Sequence, residues 1–335
     1  MEDFKHIQSA HCENGVTSSL MNFYGIEGIT EPLAFGIGSG LFYIHIPFMK
    51  INGGPAVSYR SFPGVIFKRT SKLLNVPIVS QKFNSEEKAM NYLDDLLEKG
   101  RVTGCQVGVY NLPYFAPEYR FHFNAHNIIV YGKQGDNYLI SDPTMEVKTT
   151  LTRKELQLVR FAKGPLAPKG HLYAPEKKII TEVDIPRAIR KGIKKNHNFM
   201  LKAPGSFVGI SGIGYTARQI TKWRDKLGVR RAGLHLGQII RMQEEIGTGG
   251  GGFRYIYAAF LEEAHAYIPN DSLLELSNEF TKSGDLWRNT AVAMAQVLKG
   301  RKTEQSDFLE ISERLKEIET LETATFKKMG ALKLT

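Results

Sequence analysis

A cysteine, a histidine and an aspartate occur along this sequence at positions suited to covalent catalysis. Cys12 stands just before a segment with a helical pattern, where the helix dipole and the first backbone N–H groups favour a thiolate. His126 opens an apolar segment with a strand pattern, and Asp142 follows the next such segment. A thiolate nucleophile needs a base that handles its proton, and the base needs a carboxylate that orients it. The three residues therefore predict a Cys-His-Asp triad.

The segments around His126 and Asp142 predict how these two side chains meet. Residues 126–131 and 138–141 have strand patterns, and residues 132–136 between them have the composition of a hairpin turn. A hairpin places the two side chains at the open ends of adjacent antiparallel strands, within reach of each other across the ladder. We expect the helix predicted at residues 15–24 to supply Cys12 from the facing side.

Each member of the triad also has an ordinary structural interpretation. A cysteine near a helix start usually packs as a small apolar residue, a strand histidine is usually structural, and Asp-Pro usually marks a turn. The order of the cysteine, the histidine and the aspartate along the chain, together with the predicted hairpin, favours the catalytic interpretation. The second cysteine, Cys105, lies in an apolar run and is predicted to belong to the core. His11 is expected to be structural, with a second base beside the thiol as the alternative.

The composition indicates a folded chain in a reducing compartment. The sequence has 335 residues, of which 42% are hydrophobic and 23% charged, enough for two ordinary domains. Its two cysteines support neither a disulfide framework nor a zinc site, and no metal is expected. The N-terminus has no signal-peptide core, and no window resembles a membrane span. We therefore expect a cytoplasmic protein that does not contact a membrane.

The formal net charge of +10 favours an acidic partner. Basic side chains are concentrated in two groups, which are Arg187, Arg190, Lys191, Lys194 and Lys195, and Lys222, Arg224, Lys226, Arg230 and Arg231. Such groups are either solvated helix faces or a surface suited to an acidic carrier protein. No recognised nucleic-acid-binding motif accompanies them, so nucleic acid is not an expected partner.

The chain divides into two parts with different patterns. Residues 1–165 combine strand patterns, including one at 107–111, with a few helices, including one at 85–99, and predict an α+β domain. Residues 163–175 have the glycine and proline content of a linker or a domain-crossing loop. Residues 176–335 predict a mostly α-helical domain. Its helices are expected at 185–201, 213–227, 232–246, 253–268, 272–298 and 304–329.

Motifs that span most of the chain resemble those of the butirosin biosynthesis protein H family. They are HCENGVTSSL at 11–20, FGIGSGLFY at 35–43, AHNIIV at 125–130, SDP at 141–143 and GTGGGGFRYIYAAFLEEA at 247–264. The resemblance implies a papain-like N-terminal domain followed by a helical domain that shapes the cleft. It also implies an N-acyltransferase that moves an acyl group from an acyl carrier protein, or from coenzyme A, to an amine in natural-product biosynthesis.

By this resemblance, Cys12 is the nucleophile, His126 the general base and Asp142 the group that orients the base. The donor substrate is then an acyl-phosphopantetheine thioester, and no bound cofactor is implied. In the papain pattern, the glutamine of the oxyanion hole lies farther upstream of the nucleophile than Gln8 does. The backbone N–H of Cys12 is therefore the better oxyanion donor, and Gln8 is a secondary candidate.

Two glycine-rich stretches supply further candidates for substrate binding. Residues 36–40 do not match a dinucleotide fingerprint, and Gly38 and Ser39 are candidates to lend backbone N–H groups to the pocket wall. Residues 247–252 precede a predicted helix and lack the Lys-Ser/Thr of a P-loop, but such a turn is a natural anion nest. Gly249, Gly250 and Arg254 are thus candidates to bind the phosphopantetheine arm. An interhelical turn is the alternative.

Two other functions remain compatible with the sequence. A cysteine amidase or peptidase would use the same triad and release a free acid, because the motifs do not separate transfer from hydrolysis. A non-catalytic protein that binds a carrier would keep the fold without joint action of the triad residues. A homodimer formed through a helical face is also an expectation.

Overall fold

The computed structural model describes residues 4–51 and 53–334. Its contacts divide the chain into two compact units, each made of two segments. The first unit combines Met1–Ala34 with Pro63–Asp184, and the second combines Phe35–Phe62 with Ile185–Thr335. The units therefore differ from the predicted domains 1–165 and 176–335. Residues 35–62 lie in the second unit, and residues 166–184 lie in the first.

The secondary structure consists of helices and strands in both units. The helices are α1 Cys12–Phe23, α2 Glu31–Ile37, α3 Val65–Leu73, α4 Glu86–Glu98, α5 Arg153–Arg160, α6 Ile185–Leu201, α7 Gly209–Ile220, α8 Trp223–Leu227, α9 Val229–Ile240, α10 Arg254–Tyr267, α11 Ser272–Leu298 and α12 Gln305–Ala331. The strands are β1 Leu41–Ile51, β2 Gly54–Arg60, β3 Ile78–Gln81, β4 Thr103–Val107, β5 His126–Gln134, β6 Asn137–Ser141, β7 Thr149–Thr152 and β8 Leu172–Pro175.

The first unit is built on a six-stranded sheet in the order β3-β8-β4-β5-β6-β7, and every neighbouring pair is antiparallel. Side chains of the central strands, such as Ile128 and Leu172, form a buried apolar cluster with Leu93 of α4 and Leu156 of α5. Removing these side chains from water is the main force that holds the helices on the sheet. Because β5 and β6 are antiparallel neighbours, the start of β5 and the end of β6 lie at the same edge.

Side-chain caps fix where the helices against this sheet begin. The Ser85 hydroxyl accepts a hydrogen bond from the Lys88 N–H and starts α4, in agreement with the prediction of a helix at 85–99. Thr152 and Glu155 form a capping box at the start of α5. Each cap satisfies backbone N–H groups that have no partner within the helix and contributes about 1 kcal/mol.

Two predictions for the first unit are wrong, and the predicted hairpin is confirmed with a shorter turn. The strand predicted at 107–111 is absent, because β4 ends at Val107 and the chain then turns. The hairpin turn predicted at 132–136 is shorter, with β5 continuing to Gln134 and Gly135 adopting a left-handed φ of 60°. The stretch 163–175 is no linker, since it ends in the buried strand β8 between β3 and β4.

The second unit joins the antiparallel hairpin β1–β2 to the helices α6–α12. The hairpin contributes to the core, because Tyr43 and Tyr59 pack on the buried ring of Trp287 with centroid distances of 5.7 and 5.1 Å. The predicted mostly helical character of residues 176–335 is confirmed, with the bounds of α6 and α11 as predicted.

Two of the predicted long helices are interrupted. The helix predicted at 213–227 is divided into α7 and α8 at residues 221–222. The helix predicted at 232–246 changes after Ile240 into the π-helical turn Arg241–Glu245. None of the helices in residues 4–51 and 53–334 combines the length and the apolar character that crossing a bilayer requires.

Candidate active site

Cys12 is the first residue of α1, at the position predicted for a helix-terminal thiol. His11 is the N-cap, and its Nδ1 accepts a hydrogen bond from the Asn14 N–H at 3.3 Å. His11 thus has the structural role expected from the sequence. The Cys12 side chain is buried, with 7% of its surface exposed. The first N–H groups of a helix have no acceptor within it, so the Cys12 N–H can serve as an oxyanion donor.

His126 and Asp142 meet at the edge of the sheet where β5 begins and β6 ends. The last ladder pair on this side is Ile129 with Ser141, and Asp142 follows directly. The His126 Nε2 lies 2.6 Å from Asp142 Oδ2. Since Nε2 is engaged by the carboxylate, the hydrogen bond between His126 and the Cys12 thiol uses Nδ1. The structure therefore brings the three predicted residues together.

The Asp142 carboxylate is fully buried and has four hydrogen-bond donors. Oδ2 accepts from His126 and from the Tyr114 hydroxyl at 3.0 Å. Oδ1 accepts from the Thr144 N–H at 3.0 Å and from the Thr144 hydroxyl at 2.8 Å. Burial alone raises the pKa of this carboxyl, but His126 and Thr144 hold the net pKa below its usual value. Asp142 is thus an ionised and immobilised partner for His126.

The same ion pair sets the protonation state of the histidine. Burial lowers the pKa of His126, but the charges of Asp142 and Cys12, with hydrogen bonds to both, outweigh it and raise the pKa to about 10. The ring of Phe115 packs edge-on against the imidazole at 5.6 Å. At neutral pH the site therefore presents an imidazolium beside the sulfur, the state that favours a thiolate.

The N-terminal segment and α1 are fixed against the triad by close packing. The Ser9 N–H donates to the Pro143 carbonyl at 2.7 Å. A Cβ on Gly15 would lie 2.5 Å from the Pro143 Cβ, so only glycine permits this approach of α1 to the Asp142 turn. Glu13, directly after Cys12, turns its carboxylate to the backbone N–H groups of Gly64 and Ile66 and caps α3.

Three residues outside the sequence prediction also contact these side chains, namely Asn127, Tyr114 and Thr144. Asn127 Nδ2 lies 3.8 Å from Cys12 Sγ. Asn127 stands beside His126 in the motif AHNIIV, and Thr144 lies two residues after Asp142, so proximity along the chain is a signal for both. Tyr114 lies 28 residues before Asp142, and no local pattern marks it.

The other predicted binding residues have different surroundings. Gln8 is exposed, on the segment whose next residue, Ser9, contacts Pro143. The others lie in the second unit. Gly38 and Ser39 are buried in the turn after α2, and the Ser39 Oγ lies 3.5 Å from the Gly192 carbonyl oxygen.

Backbone N–H groups of the glycine-rich loop at residues 247–252 donate hydrogen bonds to side chains of the same unit. Gly249 and Gly250 have positive φ values of 67° and 86°. The Gly250 N–H donates to the Thr248 hydroxyl, and the Gly251 N–H donates to the Glu244 carboxylate at 3.1 Å. The proposed anion nest thus already contains a carboxylate of the protein.

Arg254 is a buried structural residue. Its side chain has no exposed surface, its Nε and Nη2 donate to Glu322 at 2.8 and 2.9 Å, and its Nη1 donates to the Gly252 carbonyl. The guanidinium predicted to bind a substrate is therefore enclosed and paired within the protein. Its role is to anchor α10 to α12.

The first unit is an α+β domain in which a cysteine, a histidine and an aspartate are grouped. Residues 11–143 match the family model of butirosin biosynthesis protein H, N-terminal, so the predicted papain-like N-terminal domain of that family is confirmed. Residues 154–329, more than half of the chain, match the family described as domain of unknown function (DUF4872). The chain belongs to this DUF4872 family.

No curated protein matches the chain. One similar solved structure is described as a C39-like peptidase from Bacillus anthracis. It has 12% sequence identity and a TM-score of 0.36, and the match covers 55% of this chain and 98% of that one.

Proposed function

We propose that this protein is an N-acyltransferase that forms an acyl-Cys12 intermediate from an acyl thioester and transfers the acyl group to an amine. The observation that carries the proposal is the contact of Cys12 with His126, whose Nε2 lies 2.6 Å from Asp142 Oδ2. The match of residues 11–143 to butirosin biosynthesis protein H supports a cysteine enzyme of biosynthesis, and acyl transfer is the reaction that we propose for it. The proposed donor is an acyl-phosphopantetheine thioester on an acyl carrier protein or coenzyme A.

In the first half-reaction, the Cys12 thiolate attacks the thioester carbonyl and forms the new S–C bond. The Cys12 N–H at the start of α1 stabilises the oxyanion of the tetrahedral intermediate, with Gln8 as a second candidate donor. When the intermediate collapses, the bond to the carrier sulfur breaks, and the leaving thiolate takes the proton from His126 Nδ1. Exchange of one thioester for another is nearly balanced in energy, which suits a cysteine nucleophile.

In the second half-reaction, the amine attacks the acyl-Cys12 carbonyl. Neutral His126 accepts the amine proton, and the Cys12 thiolate leaves, so that the starting ion pair is restored. Asp142 stays ionised throughout and stabilises the imidazolium each time it forms. The product amide is more stable than the thioester, which makes this step favourable.

The proposal is tested by intact-protein mass spectrometry after incubation with a panel of acyl carrier protein and coenzyme A thioesters. We expect an acyl adduct on wild-type protein and on Cys105→Ala, the matched control that removes the other cysteine, but not on Cys12→Ala. We further expect amines to discharge the adduct faster than water. An adduct that only water clears would instead establish a hydrolase, and absence of an adduct with every donor would contradict both.

A further inference from the structure

Asn127, the residue after His126 in β5, places its side-chain amide against the sulfur of Cys12. The Asn127 Nδ2 and Cys12 Sγ are 3.8 Å apart, within hydrogen-bond distance for sulfur. The two side chains are buried, with 4% and 7% of their surfaces exposed. Consecutive residues of a strand normally point to opposite faces. Regular strand geometry would therefore direct only one of these two side chains towards the Cys12 thiol. Here both His126 and Asn127 contact it.

Two neighbours determine which end of the amide faces the sulfur. The Asn127 Nδ2 also donates to the Ala125 carbonyl at 3.0 Å, and a carbonyl oxygen can only accept. The Asn127 Oδ1 accepts from the Tyr173 hydroxyl at 2.8 Å. A flipped amide would bring two acceptor oxygens together at Ala125. The group presented to Cys12 is therefore an N–H donor.

Tyr173 reaches Asn127 from β8 because a glycine leaves room for its ring. A Cβ on Gly104 of β4 would lie 2.6 Å from the ring of Tyr173. On another side, the ring packs against Phe67 with a centroid distance of 4.6 Å. With 3% of its surface exposed, Tyr173 is held in place by this packing. Its hydroxyl is thereby directed at Asn127.

We propose that Asn127 is a catalytic residue that donates a hydrogen bond to the ionised sulfur of Cys12, and that Tyr173 is the positioning residue that orients its amide. The inference rests on the nucleophilic role proposed for Cys12. An N–H donor stabilises a thiolate more than a thiol, because the charge on sulfur strengthens the hydrogen bond. Asn127 thus acts together with His126 to keep the nucleophile ionised before a substrate binds.

Among the titratable groups around Cys12, His126 faces the sulfur, and the others have partners of their own that do not include Asn127. Asp142 bonds the Nε2 of His126, the ring nitrogen that does not face the sulfur. Glu13 caps α3, and the His11 Nδ1 accepts the Asn14 N–H. A change in the ionisation of Cys12 in an Asn127 variant therefore reports the loss of the Asn127 donor.

The experiment measures the rate of Cys12 alkylation by iodoacetamide as a function of pH, with the alkylated cysteine located by peptide mass spectrometry. We expect Asn127→Ala to raise the pH midpoint by about one unit, which is about tenfold slower alkylation below the midpoint. Asn127→Asp keeps the size of the side chain but turns a carboxylate towards the thiolate. Its midpoint is expected to rise further, because like charges disfavour ionisation.

Two tyrosine variants separate orientation of the amide from general destabilisation. Tyr173→Phe keeps the packed ring and removes the hydroxyl, and it should raise the midpoint in the same direction by a smaller amount. The matched control is Tyr24→Phe, which removes a buried hydroxyl that donates to the Val102 carbonyl at 2.9 Å. This control should lower the thermal stability without moving the midpoint.

Folded Asn127 variants that alkylate with the wild-type midpoint would overturn the inference, as would equal midpoints for Tyr173→Phe and Tyr24→Phe. Alkylation needs no acyl donor, so the result is independent of acyl transfer. If no thioester acylates the wild-type protein but the Asn127 variants shift the midpoint, the proposed transfer fails and the role of Asn127 stands.

Discussion

Asp142 accepts more hydrogen bonds than the orientation of one histidine requires. The contact with His126 fixes the imidazole, while Tyr114 and the two donors of Thr144 fix the carboxylate itself. A buried carboxylate with all its acceptor positions used cannot rotate without losing several charge-assisted hydrogen bonds. Different substitutions can therefore change the charge of Asp142 and the hydrogen bonds that hold its carboxylate in place.

Asp142→Asn removes the charge that raises the pKa of His126, so the imidazolium beside Cys12 is no longer favoured. We expect acylation of Cys12 to slow by about 10²–10⁴-fold. Tyr114→Phe removes one donor and leaves the charge, so the expected loss is below about tenfold. The measurement is the single-turnover rate of adduct formation with one thioester. Similar rates for the two variants would contradict a role for the Asp142 charge.

The grouping of Cys12, His126 and Asp142 could be predicted from the sequence, but the full environment of these side chains could not. Each of these residues lies at the end of a helix or strand that the neighbouring sequence is enough to predict. One helix start and one hairpin therefore suffice to group them. The hydroxyl of Tyr173 reaches Asn127 from β8, a strand hidden in a segment with the glycine and proline content of a linker. Such contacts depend on sheet order, which local composition does not encode.

At the scale of elements, the site depends on how closely α1 approaches the turn after β6. Gly15 lies inside α1, where alanine would normally stabilise the helix by about 1 kcal/mol. Here the added Cβ would lie 2.5 Å from Pro143 and 2.7 Å from Ser9, and both of these contacts involve Cβ atoms close to the backbone. The helix cannot accept the methyl group without moving Cys12 relative to Asp142.

Gly15→Ala is therefore expected to reduce the free energy of unfolding by about 1–3 kcal/mol and to slow acylation of Cys12 at least tenfold. Ser85→Ala is the control, since it removes the cap of α4 at a cost of about 1 kcal/mol without touching the triad. Urea unfolding and adduct formation are measured on both. If Gly15→Ala acylates at the rate of Ser85→Ala, the close approach of α1 has no catalytic importance.

At the scale of the whole molecule, the chain order and the compact units do not coincide. The hairpin β1–β2 precedes most of the first unit in the sequence but belongs to the second. The position of this hairpin depends on the packing of Tyr43 and Tyr59 on Trp287, which lies more than 200 residues later in the sequence. Local composition therefore could not predict it. The same region contains the buried pair of Arg254 and Glu322, whose desolvation cost is offset by their mutual hydrogen bonds and by those that Ser283 and Trp287 donate to Glu322.

A chain of residues 176–335 alone should therefore fail to fold cooperatively. It would expose Trp287 and leave Arg254 beside solvent where Tyr43 and Tyr59 now pack. Residues 35–62 joined to 185–335 through a flexible glycine-serine linker of about 20 residues restore these contacts and should unfold in one transition. Thermal unfolding followed by near-ultraviolet circular dichroism distinguishes the two chains. A cooperative transition in residues 176–335 alone would contradict this prediction. It would mean that the helices fold and bury the Arg254–Glu322 pair without the hairpin β1–β2.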